Sequence, residues 1–304
     1  MLFAYTLVCF IYGTTFLAIR IGDNAGMPPF LFAAIRFTAA GLLILAFFLW
    51  KQRTAFPRKV SLYGQLIRIG FFNTTVVFAL VYAVEQHVPS SYAALLSATM
   101  PFMVMLLERI SFKQRITLIQ SFGLSLGFLG VLAIAWPGIR AGVPHWVTGT
   151  ILLILAQIGA ALGATWSRKV IALGTSPFIA NGFQVLFGGL GLFVLAGITG
   201  GLSFASVHSW GNGIVALIYL TVFGSIVASS LFYWMIKRTN ALIPSTWTYV
   251  SPVIAMAVGY LWYKEPISVW TITGIVLILC GVLLVNLRAF QAVLKTPTLL
   301  KKSA

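Results

Sequence analysis

Apolar residues run along this chain in long continuous stretches, separated by short polar connections. A helix that spans a bilayer needs about 20 mostly apolar residues. Ten stretches meet this requirement, centred near residues 11, 40, 75, 99, 127, 157, 188, 225, 252 and 278. Because the apolar runs are continuous rather than alternating, a membrane β-barrel is disfavoured. The pattern predicts an all-α membrane protein with ten transmembrane helices.

Composition supports the same class of protein. Only 8% of the 304 residues are charged and 60% are hydrophobic, whereas soluble domains carry about 25% charged residues. We therefore expect the lipid bilayer to cover most of the surface. A net charge of +16 would suggest nucleic acid in a soluble protein. Here the basic residues lie between apolar runs, so we expect no nucleic-acid partner.

Basic residues also predict the orientation, since short cytoplasmic loops are enriched in Lys and Arg. Most of the 20 Lys and Arg residues follow even-numbered segments or lie in the C-terminal tail, and the opposite side receives Arg20, Arg140 and Lys264. Both termini are therefore predicted to be cytoplasmic, in a multi-pass protein of the cell (plasma or inner) membrane.

A weak internal repeat relates the two halves of the chain. The matched pairs, at a shift of 151 residues, are Pro101 with Pro252, Gly123 with Gly274, and Gly130 with Gly281, while Pro29 matches Pro177 at a slightly different offset. Since five segments is an odd number, the second copy must cross the membrane upside down. We therefore predict two inverted five-helix units, residues 1–140 and 141–304, around a central cavity.

Several motifs resemble the EamA family of the drug/metabolite transporter superfamily. They are Tyr12-Gly13-Thr14-Thr15-Phe16, the run from Pro29 to Arg36-Phe37, and Pro252 followed by Glu265, Gly274 and Gly281-Val282. The resemblance implies two inverted five-helix bundles, alternating access, and often export of amino acids or other metabolites. Two positions depart from the family pattern: Gln114 stands where glutamate is frequent, and Tyr12 where tryptophan is usual.

Polar and aromatic side chains at segment centres are the candidate substrate-binding residues. They are Tyr12, Asn73, Tyr82, Tyr92, Gln157, Trp166, Gln184, Trp247 and Tyr249. Any one of them can instead hold neighbouring helices together. As a set they are suited to lining a wet path for an apolar body with a polar head.

Arg36 is the basic residue that is not at a segment boundary. An arginine at mid-membrane costs about 2.5–3.5 kcal/mol on insertion scales, so it must pair, reach water or serve a function. One reading is attraction of a substrate carboxylate or phosphate. The other is bonding to backbone carbonyls or to an outer acid such as Glu85 or Glu265.

Three further residues have candidate roles. Glu108 is a possible coupling carboxylate, although pairing with a nearby Arg or Lys at the interface is the plainer interpretation. Pro101 and Pro252 occupy matching repeat positions and are candidate hinges, because proline removes a helix hydrogen bond.

Taken together, these features predict a transporter of small metabolites such as amino acids, and the resemblance to the EamA family implies alternating access and export. A channel-like facilitator is the alternative, and a membrane-embedded enzyme is less favoured. No metal-ligand spacing, cofactor motif or catalytic motif occurs, so we expect neither cofactor, metal nor enzymatic activity. Substrate identity, coupling ion and oligomeric state stay open.

The predicted orientation can be tested by cysteine labelling in intact cells. Cysteines placed at Arg58 or Lys169 should be protected from a membrane-impermeant thiol reagent, because both positions lie on the predicted cytoplasmic side. Labelling of either one from outside would contradict this topology.

Overall fold

The structure, a computed structural model, describes residues 1–51, 56–57, 59–88, 90–112, 117–142, 145–263 and 268–295. The motif positions Gln114 and Glu265 and the tail beyond Lys295 lie outside the described residues, as does the side chain of Pro252. Within the described ranges the chain forms helices and turns, without strands.

Each half of the chain consists of consecutive helices. The first half contains α1 (Leu2–Asn24), α2 (Pro29–Lys51), α3 (Val60–Gly70), a first π segment (Phe71–Val76), α4 (Val77–Glu85), α5 (Ser90–Ser97), α6 (Met100–Phe112) and α7 (Leu118–Arg140). The second half contains α8 (Trp146–Ala172), α9 (Pro177–Ile198), α10 (Trp210–Tyr219), a second π segment (Leu220–Ala228), α11 (Ser229–Arg238), α12 (Leu242–Ser245), α13 (Trp247–Tyr263) and α14 (Val269–Lys295).

Seven helical stretches within the described ranges are long and apolar enough to cross a membrane. They are Leu2–Asn24, Pro29–Lys51, Val60–Glu85, Tyr92–Ile110, Trp146–Ala172, Pro177–Ile198 and Trp210–Arg238. Shorter apolar stretches lie within α7 and α14, at Ser121–Ile134 and Val269–Gly281. The protein is therefore a multi-pass helical membrane protein, as the hydropathy pattern predicted.

Two π segments interrupt otherwise continuous helices, one in each half of the chain. A π turn inserts an extra residue and is often found at functional sites. The first is held on α9, where the Thr75 hydroxyl donates to the Gly188 carbonyl at 2.9 Å. The second is also held on α9, where Asn181 donates to the Ser225 carbonyl at 3.2 Å. Both irregular segments are thus fixed by the same neighbouring helix.

Helices α7 and α14 pack against each other, as do α2 and α9. At the first contact, a Cβ on Gly130 would lie 2.8 Å from the Gly274 carbonyl oxygen. A Cβ on Gly274 would lie 2.7 Å from the Gly130 carbonyl oxygen. Seven residues away along each helix, a Cβ on Gly281 would lie 2.5 Å from the Gly123 carbonyl oxygen. Absence of side chains at these glycines lets the two backbones touch.

We predict that Gly130→Ala and Gly274→Ala each destabilise the protein by about 1–3 kcal/mol, because the added methyl group must push a neighbouring backbone away. The measurement is the apparent unfolding midpoint of purified protein in detergent. Gly64→Ala is the matched control, since a Cβ there meets nothing within 4 Å. Equal midpoints for the three variants would contradict this packing.

Candidate functional site

A cavity of about 120 Å³ lies where the two halves of the chain meet. Its walls come from α1, α2, α4, α5, α6, α8, α9, α11, α13 and both π segments. A single water needs roughly 10–15 Å³ of such space, so the cavity has room for several waters or a small molecule. Some of its lining residues lie near the middle of long apolar helices, such as Tyr12 on α1 and Gln157 on α8.

Aromatic rings form much of the wall of this cavity. Tyr12 and Trp247 are in ring contact, with centroids 4.3 Å apart. Phe37 and Phe78 are in similar contact at 4.4 Å. All four side chains line the cavity, with Phe16 and Phe232. The wall therefore suits a ligand with an apolar body.

Arg36 projects into this aromatic surrounding and is only 2% exposed. Its Nε donates to Ser225 Oγ at 2.9 Å, and one terminal nitrogen donates to the Tyr82 hydroxyl at 3.4 Å. The guanidinium carbon lies 4.5 Å from the centroid of the Phe37 ring. In the described part of the chain no carboxylate lies within ion-pair distance of it. Arg36 is thus a buried cation held by neutral groups.

Gln184 on α9 makes a comparable contact from the other half of the chain. Its amide nitrogen donates to the Thr74 hydroxyl in the first π segment. Its carbonyl oxygen is buried and, among the described residues, has no hydrogen-bond partner. A buried acceptor without a donor is unfavourable by about 1–3 kcal/mol. A ligand N–H or O–H in the cavity would supply the missing donor.

Two other amides line the cavity. The Asn73 amide nitrogen lies 3.4 Å from the Tyr233 hydroxyl, which also lies 3.0 Å from Ser167 Oγ. Gln157 on α8 is 6% exposed, and its side chain makes no hydrogen bond within the described chain. The cavity therefore combines one cation, three amides and a wall of aromatic rings.

Six of the ten predicted binding residues line this cavity: Tyr12, Arg36, Asn73, Gln157, Gln184 and Trp247. The other four lie behind the wall or elsewhere in the bundle.

Each of those four has a packing environment that accounts for its position. Tyr82 is fully buried behind the cavity and orients Arg36. Tyr92 hydrogen-bonds Thr150 at 2.6 Å. Trp166 lies under the Arg68 guanidinium, 4.1 Å from its carbon, and contacts the Phe72 ring edge to face. Tyr249 packs against the large apolar cluster of the bundle.

Glu108 forms an ion pair with Arg168 at 2.9 Å, joining α6 to α8 near their C-terminal ends. Its side chain is 17% exposed and that of Arg168 is 40% exposed. Glu108 does not line the cavity. This geometry supports the plainer interpretation of Glu108 as an interfacial partner of a cation.

The two candidate hinge prolines lie in different settings. Pro101 is the second residue of α6, just after a break at residues 98–99 that separates α5 from α6. It has no N–H to donate to the carbonyl of Ser97, which is the last residue of α5 and lines the cavity. Pro252 lies within α13, whereas the corresponding break comes earlier, at Thr246. The helix interruption at Pro101 therefore adjoins the cavity directly.

Sequence reasoning missed several polar lining residues, notably Ser97, Ser225, Ser229 and Tyr233. Serine is common at close helix contacts, so its presence in a helix gives no direct signal. Tyr233 could have been found, because a shift of 151 residues aligns it with Tyr82.

The fold and the cavity define a polytopic helical membrane protein with an internal cavity of mixed polarity. The sequence matches the EamA-like transporter family over residues 1–136 and again over residues 147–287. The chain belongs to this family, within the drug/metabolite transporter superfamily, which confirms the resemblance. Membership points to transport rather than enzymatic activity.

Relatives and one solved structure agree with this assignment. The Escherichia coli protein YedA, named an uncharacterized inner membrane transporter, is 31% identical over 82% of this chain and 78% of its own length. A WAT1-related chloroplastic protein of Arabidopsis thaliana is 26% identical over 91% of this chain and 67% of its own. A crystal structure 19% identical in sequence has a TM-score of 0.68, covering 95% of this chain and 97% of that one, and supports the fold alone.

We predict that Arg36→Ala and Arg36→Lys raise the apparent KM about tenfold or more, since a hydrogen bond to a charged group contributes roughly 1.5–3 kcal/mol. Folding should survive, because the partners left behind are neutral. The measurement is concentration-dependent flux in proteoliposomes, normalised to folded protein. Arg68→Gln is the control, because Arg68 does not line the cavity. A loss of folded protein with an unchanged KM would indicate a structural role.

We predict that Pro101→Ala lowers turnover about two- to tenfold while changing substrate binding less, because a regained N–H can add a helix bond of about 0.5–1.5 kcal/mol across the break. Pro252→Ala is expected to act in the same direction. Pro137→Ala is the control, since Pro137 lies within α7 and does not line the cavity. Unchanged turnover in the Pro101/Pro252 double variant would refute the hinge role.

Proposed function

We propose that this protein is an exporter of small metabolites such as amino acids, working by alternating access. Ten membrane segments form two inverted five-helix units, residues 1–140 and 141–304, with both termini in the cytoplasm. The observation that carries the proposal is the buried Arg36, which faces a cavity rather than a carboxylate. Alternating access by two related halves needs such a site where the halves meet.

Contacts across the cavity support the inverted repeat. The offset that matches Pro29 with Pro177 also matches Arg36 with Gln184. The offset of 151 residues matches Thr74 with Ser225. The Arg36–Ser225 contact thus has its equivalent in the Gln184–Thr74 contact.

Glycine contacts between α7 and α14 are also matched to one another by the repeat. Gly130 meets Gly274, and Gly123 meets Gly281. The repeat matches Gly123 with Gly274 and Gly130 with Gly281. Each contact is therefore the image of the other, which is the pattern that a two-fold axis produces. Two separate matches to the family, one in each half, support the same interpretation.

The polar groups in the cavity suit a zwitterionic α-amino acid with an apolar side chain. The guanidinium of Arg36 complements a carboxylate. The unpartnered carbonyl oxygen of Gln184 accepts from an ammonium group. The rings of Tyr12 and Trp247 offer a face to the apolar side chain.

The carrier hypothesis is tested by counterflow in proteoliposomes loaded with amino acids, sugars or nucleobases in turn. Preloaded amino acids should accelerate entry of labelled amino acid, because a carrier returns faster when loaded. Trans-stimulation by a sugar or nucleobase alone would overturn the choice of substrate. Flux that rises linearly with concentration, without trans-stimulation, would favour a channel-like facilitator. Export is tested by efflux from intact cells.

A further inference from the structure

A second concave site lies at the end of the bundle where α2 and α11 terminate and α9 begins. It is a groove of about 580 Å³. Its cationic lining residues are Lys51, Lys237 and Arg238, and all three are exposed. The groove opens at helix ends, so it lies at a membrane surface rather than in the hydrocarbon interior. None of its lining residues belongs to the central cavity.

The groove has the chemistry of an anion site. Among the described residues, its lining contains three cations and no acidic residue. The 22-residue helix α9 starts inside it at Pro177, and a helix N-terminus carries a positive partial charge. Ser176, the residue before α9, lines the groove and its hydroxyl does not cap the helix. That hydroxyl is therefore available to donate to a ligand oxygen.

Aromatic rings give the groove an apolar floor next to its charges. Phe48 and Phe178 stack with ring centroids 5.9 Å apart. Arg238 lies over the Trp234 ring at 5.4 Å. At the rim, Phe47 is 49% exposed. Lys51 Nζ lies 5.6 Å from the centroid of the Phe47 ring. A ligand that filled the groove would thus meet cations and apolar surface side by side, which suits an amphiphile with an anionic headgroup such as a phospholipid.

The fold itself does not require these cations. By the repeat, the equivalent region at the opposite end of the bundle carries Gln86 and His87 where the groove carries Lys237 and Arg238. The residue equivalent to Lys51 is Thr199. The enrichment of Lys and Arg on the cytoplasmic side accounts for basic residues at one membrane face. It does not account for cations grouped around a groove lined with aromatic rings.

We propose that this groove binds the headgroup of an anionic phospholipid, with the phosphate held by Lys51, Lys237 and the start of α9. The glycerol and upper acyl carbons lie on Phe48, Phe178 and Trp234. The site is independent of what the central cavity transports. Its occupancy links the ends of three helices, α2, α9 and α11.

The test measures binding by purified full-length protein in a neutral detergent. Phosphatidylglycerol should raise the apparent unfolding midpoint and remain bound in native mass spectra, whereas phosphatidylcholine should do neither. Lys51→Gln/Lys237→Gln should weaken phosphatidylglycerol binding roughly tenfold or more, since each cation near an anionic headgroup contributes on the order of 1 kcal/mol. Lys51→Arg/Lys237→Arg should retain binding and serves as the check on folding.

The matched control is Lys59→Gln/Lys169→Gln, which removes the same charge from two exposed lysines outside the groove. This control should bind phosphatidylglycerol as the unmodified protein does. Equal losses in both glutamine pairs would overturn the proposal in favour of diffuse surface charge, and no loss in either would overturn the site itself. Stabilisation of equal size by glycerol 3-phosphate or inorganic phosphate would show that the groove takes soluble phosphate, not lipid.

Discussion

Backbone hydrogen bonding in a medium without water is the constraint on which this structure depends. In the hydrocarbon region each peptide group must find a partner within the protein, so regular helices are the rule and irregular backbone is tolerated only where other groups or water satisfy it. Here the two π segments and the break before Pro101 are irregular and adjoin the cavity. Helices α7 and α14, whose residues do not line the cavity, pack instead through glycines. The helices are thus interrupted beside the cavity, where a ligand site can form.

A second constraint is the positive charge of Arg36, which is buried beside the cavity. A buried ion pair would neutralise Arg36 and remove most of its attraction for a ligand. The hydrogen-bond partners provided by Ser225 and Tyr82 are neutral, and among the described residues no carboxylate forms a direct ion pair with Arg36. The equivalent position in the other half is Gln184, which is neutral and offers an acceptor. Arg36 and Gln184 therefore offer a cation and an acceptor within one cavity, and that difference can orient a ligand with a negative and a positive end.

The inverted repeat and the role of Arg36 stay predictions. The sequence did predict the multi-pass membrane class, because this depends on hydropathy, and it singled out Arg36, because burying a charge is costly. It did not predict which face of each helix lines the cavity. A helix that is apolar all round, such as α2 or α9, shows little contrast between its lipid face and its inner face. Tyr92 and Trp166 were therefore indistinguishable by sequence from Tyr12 and Trp247. The π segments were equally hidden, since a π turn shifts the helix register without requiring a particular residue.

The helices that bound the cavity also extend to the groove at the end of the bundle. Arg36 and Lys51 lie on α2, and Gln184 and Phe178 lie on α9. A ligand at the groove can influence the cavity only if its affinity for the groove differs between two conformational states of the protein. A lipid with equal affinity for both states would stabilise the fold and leave transport unchanged. Lipid dependence of stability and lipid dependence of turnover are therefore separate properties, and a difference between them would report how far α2, α9 and α11 move during transport.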